Sequence, residues 1–552
     1  MRSRADVLKQ IKASQFDVCI IGGGATGAGC ALDAQLRGLN TVLVEAGDFA
    51  SATSSSSTKM VHGGVRYLQQ AVADLDAGQY RVVKRALRER KITLHNAPFL
   101  AHSLELLVPC FSQMEIWYYR IGMKLYDWIS GSALLFPSRH LSVEESIERV
   151  PTLDTKRLVG TIAYADGQFD DSRYNITLVG TFSESGGQAV NYIRVLGFEK
   201  DSTGKLVGAL VEDRQSQNKF TVRAKAFVNA TGPFSDSVRE MAHPGIEKRL
   251  RLSKGAHILF PVDAIASNDA LLIPKTDDGR VLFAIPWLGR LLVGTTDDEA
   301  QPGDEMVVLK SEVEYLIRHL NRYLVKPLRI DQAVSGFAGM RPLVRSKNTL
   351  HTKKLIRDHE VELDEASGLV SVLGGKWTTY RAMAEDAINA VQRHMGAPVG
   401  GCRTADYLLN GAEGWNPDHW ETLEGRYHIP QNTAKHLSKK FGTNSAKVLD
   451  LIALDPQLGK PIVEGQAPIQ AEIVYVIRNE MAMSVEDILA RRIGLQFYSW
   501  SVAARAAPVV GAYLARELGW TPDQELKAVE EYVNKISRLM EVAGLVSEHA
   551  AV

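Results

Sequence analysis

The sequence predicts an α/β fold followed by a helical domain, and three patterns carry that prediction. The opening reads as strand, helix and strand, with FDVCII at 16–21, small residues at 25–37 and NTVLVE at 40–45. Parallel strands need such a crossover helix, so this order is the βαβ unit of an α/β domain. Strand patterns recur later, and beyond about residue 405 the pattern is helical with few strands.

The glycines between the first strand and the first helix form the pattern GxGxxG. Gly22, Gly24 and Gly27 allow a tight turn, close approach of a pyrophosphate and its binding at the helix N-terminus. Glu45 ends the second strand, where a carboxylate accepts hydrogen bonds from an adenosine ribose and disfavours a 2′-phosphate. The pattern predicts FAD or NAD rather than NADP and leaves the choice between those two open.

Patterns along the rest of the chain suggest six segments. Amphipathic helical stretches lie among the prolines before residue 150, strands return before KAFVNATG, and strand runs such as AHILFPV and GRVLFAIPW follow. We expect a nucleotide-binding domain in three pieces, a helical insertion, a second sheet domain and a C-terminal helical domain. The nucleotide-binding domain is expected at 16–80, 151–235 and 351–400. The helical insertion is expected at 81–150, the second sheet domain at 236–350 and the C-terminal helical domain at 405–545.

Composition limits the size, partners and location of the protein. Its 552 residues are 45% hydrophobic, enough for several cores, and 64 basic against 64 acidic residues give no net attraction to nucleic acid. Four widely spaced cysteines without a CxxC pair indicate neither disulfides nor a zinc site, so no metal is expected. Because no signal peptide or spanning helix is visible, we expect a cytoplasmic protein that can still lie on the inner face of the cell membrane.

The segment after Glu45 carries a resemblance to a known family. GDFASATSSSSTKMVHGGVRYLQQ has small and hydroxyl residues suited to the phosphates and flavin of an extended dinucleotide. SS at 54–55, STK at 57–59 and HGGVRYL at 62–68 resemble the signature of FAD-dependent glycerol-3-phosphate dehydrogenases, in the D-amino-acid-oxidase-like flavoprotein superfamily. The resemblance continues in order through ADGQFDDSR, VNATGPFSDSV, KGAHI, IPW, GTTD, GMRPL, RDHEV and GGKWTTYR.

The resemblance implies a fold, a cofactor and a reaction. The fold is a Rossmann-like FAD-binding domain with a mixed-sheet substrate domain, and the reaction oxidises sn-glycerol 3-phosphate to dihydroxyacetone phosphate by hydride transfer from C2 to flavin N5. Ser56 stands where many members have an arginine, so that residue's contribution near the cofactor is absent or comes from elsewhere. The implied FAD-binding residues are Gly22, Gly24, Gly27, Glu45, Ser54, Ser55, Thr58, His62, Gly63, Gly64, Gly232, Gly374, Gly375, Lys376, Trp377 and Thr378.

A phosphate ester requires fixed cations and a group that accepts the hydroxyl proton. Arginine forks suit phosphate, and the positions matched to the family motifs are Arg66, Arg341, Arg357 and Lys376. A histidine has a pKa near neutrality, so His257 in KGAHILF is our first choice of base, with Tyr67 orienting the substrate hydroxyl. Lys376 or an arginine near the alkoxide, such as Arg341, is the alternative, because each lowers the hydroxyl pKa. A satisfied core histidine is the structural alternative for His257.

Three other functions stay open on the sequence. A glycerophosphate oxidase would pass electrons to oxygen and release hydrogen peroxide, and motifs do not report oxygen access. An amino-acid oxidase needs one carboxylate-binding arginine, so the several matched cations weigh against it. A non-catalytic FAD-binding scaffold would lose His257, Arg341 and Lys376, all of which are present.

Two further stretches bear on partners. IWYYRIGMKLYDWI at 116–129 mixes aromatic and basic residues as segments at the lipid interface do, which favours a quinone acceptor and peripheral membrane attachment. Packing against the flavin domain or a partner in a homo-oligomer is the alternative. In the C-terminal domain, Glu480, Asp487 and nearby arginines are expected to form ion pairs on helix surfaces.

Overall fold

The computed structural model describes residues 3–64, 77–345, 359–396, 398 and 400–545. Within these ranges the strands are β1 (Gln15–Ile21), β2 (Thr41–Val44), β3 (Met60–Val61), β4 (Ala101–Cys110), β5 (Arg139–Leu141), β6 (Gly160–Phe169), β7 (Gln188–Val190), β8 (Ile193–Lys200), β9 (Leu206–Asp213), β10 (Lys219–Asn229), β11 (Leu250–Pro261), β12 (Ala270–Ile273), β13 (Leu282–Trp287), β14 (Arg290–Gly294), β15 (Asp298–Ala300), β16 (Ser335–Val344), β17 (His359–Leu363) and β18 (Leu369–Gly374).

The helices of the described residues separate and cover these strands. They are α1 (Arg4–Ala13), α2 (Ala25–Leu36), α3 (Ala77–Asn96), α4 (Gln113–Ser130), α5 (Val143–Arg149), α6 (Asp171–Glu184), α7 (Ser235–Ala242), α8 (Lys310–Leu320), α9 (Tyr380–His394), α10 (His419–Tyr427), α11 (Gln431–Phe441), α12 (Ser445–Leu454), α13 (Gln470–Glu480), α14 (Leu495–Tyr498), α15 (Trp500–Leu518) and α16 (Pro522–Val542). A π-helix, Asp487–Arg492, precedes α14. None of the described helices is long and apolar enough to span a bilayer.

The first sheet has the order β17-β18-β10-β1-β2-β7, with β9 paired to β10 and β8 to β9. Strands β18, β10, β1, β2 and β7 run parallel, as the predicted βαβ unit requires. Val18 to Ile20 are fully buried, and helices α2 and α9 pack against this sheet, as parallel sheets require. The α/β prediction is confirmed, and the carboxyl ends of the parallel strands, where open sheets bind ligands, meet at one edge.

The second sheet has the order β15-β11-β14-β13-β12-β4-β6-β3, with β16 paired to β11 and β5 to β6. It is mixed, because β12 and β4 are parallel and the other pairs antiparallel. The prediction that 81–150 is a helical insertion is wrong in part, since β4 lies there and pairs with β6 along its whole length. LELLV within β4 fits a buried helix as well as a strand, and only its pairing decides.

The C-terminal segment is helical, as predicted, and packs against the second sheet. One continuous core joins Ile258 and Phe260 of β11 to Val474, Trp500 and Val510 of the helices. The prediction that Glu480 and Asp487 form surface pairs is wrong, because both are buried. Glu480 accepts two hydrogen bonds from the Arg173 guanidinium on α6, at 2.6 and 3.0 Å, so these ions join segments distant in sequence.

Candidate active site

The glycine turn between β1 and α2 has the geometry that a dinucleotide needs. Gly22 has φ +108°, and a Cβ there would lie 2.6 Å from the carbonyl oxygen of Ala230. A Cβ on Gly27 would overlap the carbonyl oxygen of Gly22, and one on Gly24 would lie 2.8 Å from Ser54 Oγ. Gly22 and Gly27 must be glycines because a Cβ there would collide with backbone, and α2 begins directly after Gly24, so this turn suits the pyrophosphate of FAD.

Glu45 lies at the carboxyl end of β2, beside this turn. Its Oε2 accepts from the Gly23 amide at 2.6 Å and its Oε1 from the Gly47 amide at 2.7 Å. Burial raises the pKa of Glu45 above its ordinary value, and the hydrogen bonds from Gly47 and Gly23 oppose that rise. The carboxylate is thus fixed where the adenosine ribose of a dinucleotide is bound in such folds.

The turn at 53–58 joins the cofactor residues predicted from three parts of the chain. Ser54 Oγ accepts from the Ala25 amide of α2 at 2.9 Å, and the Ser54 carbonyl accepts from Trp377 Nε1 at 2.9 Å. His62 donates its amide to Thr378 Oγ1 at 3.2 Å. The residues at 54–62 therefore meet both the glycine turn and the loop after β18.

A cavity of about 370 Å³ lies between the two sheets, next to this turn. Its polar lining residues include Thr58, His62, His257, Arg341, Lys376 and Thr378. Its apolar lining residues include Met60, Tyr119, Met123, Leu272, Val281 and Phe283. Its volume lies within the range of small-molecule and cofactor sites, and its few convergent polar groups are typical of them.

Of the other predicted site residues, three line this cavity and most of the rest lie elsewhere in the described structure. Gly64, Gly375 and Trp377 line it. Ser55 is buried and donates to the Ala52 carbonyl, and Gly63 donates its amide to Tyr126 Oη. Gly232, in the turn after β10, has a φ of +56°, and Gly374, the last residue of β18, has a φ of +71°. Arg66, Tyr67 and Arg357 lie outside the described residues.

His257 on β11 is buried and lines the cavity. Its Nε2 lies 3.0 Å from Thr58 Oγ1, its ring stacks on Phe337 at 4.8 Å, and its Nδ1 has no hydrogen-bond partner among the residues that the structure describes. Burial lowers the pKa of His257 well below 6.5, and the positive charges of Arg341 and Lys59 lower it further. His257 is therefore a neutral imidazole at pH 7, able to accept a proton.

Arg341 on β16 lies across the neighbouring strand β11. A Cβ on Gly255 would overlap the guanidinium of Arg341, so the glycine in KGAHI makes room for it. Arg341 donates to Thr295 Oγ1 at 2.8 Å and pairs with Asp297 at 3.2 Å, and a third of its side chain is exposed. A cation that lines the cavity and is partly exposed suits a phosphate or an alkoxide.

Sequence reasoning missed one buried ion pair beneath the turn at 53–58. Lys59 Nζ lies 2.6 Å from Asp171 Oδ1, with both side chains inaccessible to solvent, and also donates to the Ser55 carbonyl at 2.7 Å. Asp171 Oδ2 accepts from the amide and hydroxyl of Ser57 at 3.0 and 2.7 Å. Lys59 stands in STK and Asp171 in DDSR, two of the motifs that carry the family resemblance. Those motifs were the signal from which this pair could have been found.

Comparison with known proteins identifies the family. A model of FAD dependent oxidoreductases matches residues 17–385, and a model of the C-terminal domain of alpha-glycerophosphate oxidase matches residues 402–525. A mitochondrial glycerol-3-phosphate dehydrogenase of Arabidopsis thaliana is 40% identical over 94% of this chain and 86% of that protein. The chain belongs to the FAD-dependent glycerol-3-phosphate dehydrogenase family. The rat mitochondrial member of this family is 38% identical over 96% of this chain and 73% of its own.

Two solved structures have folds similar to that of this chain. The glycerol-3-phosphate dehydrogenase of Bacillus halodurans, complexed with FAD, has a TM-score of 0.80 at 28% identity and covers 99% of this chain and 98% of its own. The L-alpha-glycerophosphate oxidase of Mycoplasma pneumoniae, at 18% identity and a TM-score of 0.54 over 69% of this chain and 95% of its own, shares the fold. The predicted family, FAD cofactor and enzyme class are confirmed, whereas the roles of individual site residues stay predictions.

Proposed function

We propose that this enzyme oxidises sn-glycerol 3-phosphate to dihydroxyacetone phosphate and passes the electrons to a quinone. The observation that carries the proposal is the cavity in which neutral His257 lies with the cations Arg341 and Lys376. Oxidation of a phosphorylated secondary alcohol needs a base at the hydroxyl and positive charge at the phosphate. The family match supports the same substrate.

The residues that would hold FAD form a continuous path from the glycine turn to the cavity. The N-terminal end of α2 after the glycine turn would bind the pyrophosphate, Glu45 the ribose, and the segments around Thr58 and Trp377 the flavin. Bound FAD supplies an acceptor for the hydride that leaves C2 of the substrate. The protein's part is to place the substrate and to move its proton.

In the proposed mechanism His257 accepts the proton of the C2 hydroxyl. Neutral imidazole is a base, and Thr58 Oγ1 fixes the ring through its contact with Nε2. Arg341 and Lys376 stabilise the negative charge that develops on the substrate oxygen or bind the phosphate. Arg66 and Arg357 are predicted to complete the phosphate site, and Tyr67 to orient the hydroxyl.

The pH dependence of the reaction tests the protonation state of His257. Because its pKa is held well below 6.5, the free enzyme keeps a neutral base as the pH falls through 6.5. We expect the acid limb of kcat/KM, after correction for the phosphate ionisation measured by ³¹P titration of the substrate, to lie below pH 6.5. A limb at or above pH 6.5 would contradict this assignment.

Anaerobic mixing with sn-glycerol 3-phosphate tests the reaction itself. We expect the flavin absorbance to bleach, with formation of dihydroxyacetone phosphate, and to recover quickly with a quinone analogue and slowly with oxygen. Glycerol without its phosphate is the matched control and should bleach the flavin far more slowly. Rapid recovery with oxygen and release of peroxide would identify the alternative, an oxidase, and failure to bleach would refute the substrate.

Helix α4 supports the choice of a quinone and of attachment to a membrane surface. Trp117, Ile121 and Trp128 are 59, 66 and 73% exposed on it, an apolar surface of the kind that binds lipid interfaces. Tyr119 and Met123 of the same helix line the cavity. An apolar acceptor that enters the cavity from a membrane would pass along this helix.

Polar substitutions on α4 test this attachment. The triple variant W117Q/I121Q/W128Q is expected to lose binding to phospholipid vesicles and quinone reductase activity at the vesicle surface, while flavin reduction by substrate stays unchanged. Leu454→Gln is the matched control, because Leu454 on α12 is 80% exposed and apolar but lies on another element. Equal vesicle binding by the wild type and the triple variant would refute the attachment.

A further inference from the structure

The loop at 46–50 lies between two cofactor-binding elements. The Gly47 amide donates to Glu45 Oε1 at 2.7 Å, and the Ala50 amide donates to the carbonyl of Gly23 at 3.2 Å. The loop therefore contacts both the carboxylate predicted to bind the ribose and the turn predicted to bind the pyrophosphate. Whatever fixes this loop therefore fixes one of the two hydrogen bonds that orient the Glu45 carboxylate, the other coming from the Gly23 amide.

The side chain that anchors the loop is Asp48, which is buried. Asp48 Oδ2 accepts from Arg491 Nε at 2.6 Å and from Arg492 Nη1 at 2.8 Å, and Oδ1 accepts from Arg492 Nη2 at 2.9 Å. Asn191 Nδ2 donates to Oδ1 at 3.1 Å. The carboxylate is thus held mainly by two arginines of the C-terminal domain, more than 440 positions away in the chain.

The π-helix Asp487–Arg492 presents these two arginines together. Consecutive side chains of an α-helix diverge by about 100° around its axis, so they rarely reach one carboxylate. Single π turns occur frequently at functional sites. Here the π turn brings Arg491 and Arg492 to the same partner, which gives this irregular backbone a role.

The buried charges around this contact balance one another. Burial alone would raise the pKa of Asp48, but the attraction of Arg492 and Arg491 outweighs it and holds that pKa below its usual range. Asp487 pairs with Arg491 at 2.7 Å, and Arg492 donates to the Glu480 carbonyl at 2.8 Å. Asp48 is therefore a charged anchor, and removal of one arginine leaves a buried charge incompletely paired.

We propose that Arg491 and Arg492 are cofactor-positioning residues, which act through Asp48 to hold the loop at 46–50 and so orient Glu45 toward the adenosine ribose of FAD. The helical C-terminal domain is then an FAD-retention element as well as a packing partner of the second sheet. The proposal rests on FAD as the cofactor and not on which substrate is oxidised.

The test compares FAD affinity in two variants that each lose one buried ion pair of the C-terminal domain. Arg492→Met keeps the aliphatic part of the side chain and removes the guanidinium that donates to Asp48. Lys440→Met is the matched control, because Lys440 Nζ pairs with Asp170 at 2.8 Å, away from Glu45. The dissociation constant of FAD is measured by titrating each apoprotein with FAD and following flavin fluorescence, at a temperature where circular dichroism shows a folded chain.

We expect the FAD dissociation constant to rise at least about tenfold in Arg492→Met and to stay within about twofold of the wild type in Lys440→Met. Arg492→Lys, which keeps the charge and is the variant to use if Arg492→Met does not fold, is expected to show a smaller rise. Unchanged affinity in both Arg492 variants, or an equal loss in Lys440→Met, would overturn the proposal. Because no substrate is present, failure of glycerol 3-phosphate to bleach the flavin would leave this result intact.

Discussion

Replacement of His257 by asparagine is expected to slow flavin reduction by sn-glycerol 3-phosphate roughly 10²- to 10⁴-fold, the usual contribution of a positioned general base. Asparagine is polar and smaller than histidine, but it cannot accept the hydroxyl proton. The enzyme should still bind FAD, since the glycine turn and Glu45 lie outside the contacts that His257 makes with Thr58 and Phe337. Stopped-flow absorbance under anaerobic conditions gives the reduction rate at saturating substrate.

Phe337→Leu is the control for this variant, because it removes the stacked ring and leaves the imidazole in place. We expect it to reduce its flavin within about tenfold of the wild-type rate, well above His257→Asn. If His257→Asn reduces its flavin at the wild-type rate, the base is another group, and Lys376→Met becomes the variant to measure next.

Replacement of Lys59 by methionine is expected to destabilise the protein by about 3–5 kcal/mol, because it leaves the Asp171 carboxylate buried without its cation. Lys59 also lies over the rings of Phe337 and Phe497, at 4.7 and 4.6 Å from their centroids, and these contacts would lose their charge. Thermal unfolding of the apoprotein and of the FAD-bound enzyme measures the loss.

The double variant Lys59→Met/Asp171→Asn separates a buried charge from a lost contact. Removal of both ions leaves no unpaired charge, so we expect the double variant to unfold at a higher temperature than either single variant. Additive losses in the double variant would show that the two ions contribute independently, contrary to the 2.6 Å contact.

Local patterns predicted the nucleotide-binding half of the fold and its first contacts with the cofactor. The βαβ unit, the turn from Gly22 to Gly27 and the position of Glu45 depend on residues that are close together in the sequence. Local strand, helix and glycine patterns are therefore sufficient to predict them. Strand β4 was missed because its apolar run also fits a helix, and pairing with β6 some 50 residues later decides the matter.

Motifs predicted the residues of the candidate site, but the sequence did not predict the contacts that support them. His257, Arg341 and Lys376 stand in recognisable motifs and line one cavity. Lys59 and Asp171 are 112 positions apart, and Asp48 and Arg492 are 444 apart. No periodicity or spacing in a single sequence reports such pairs, because they are set by the packing of elements that have already formed.

The strand order of the first sheet has a consequence for synthesis of the protein on the ribosome. Strand β10 lies between β1 and β18, so the sheet is incomplete until residue 374 has left the exit tunnel. The arginines that anchor the loop beside Glu45 follow only at 491 and 492. Early strands of the nascent chain therefore keep exposed edges during translation, a state in which chaperones protect proteins from aggregation, and the contacts that anchor the loop beside Glu45 form only after nearly the whole chain has been translated.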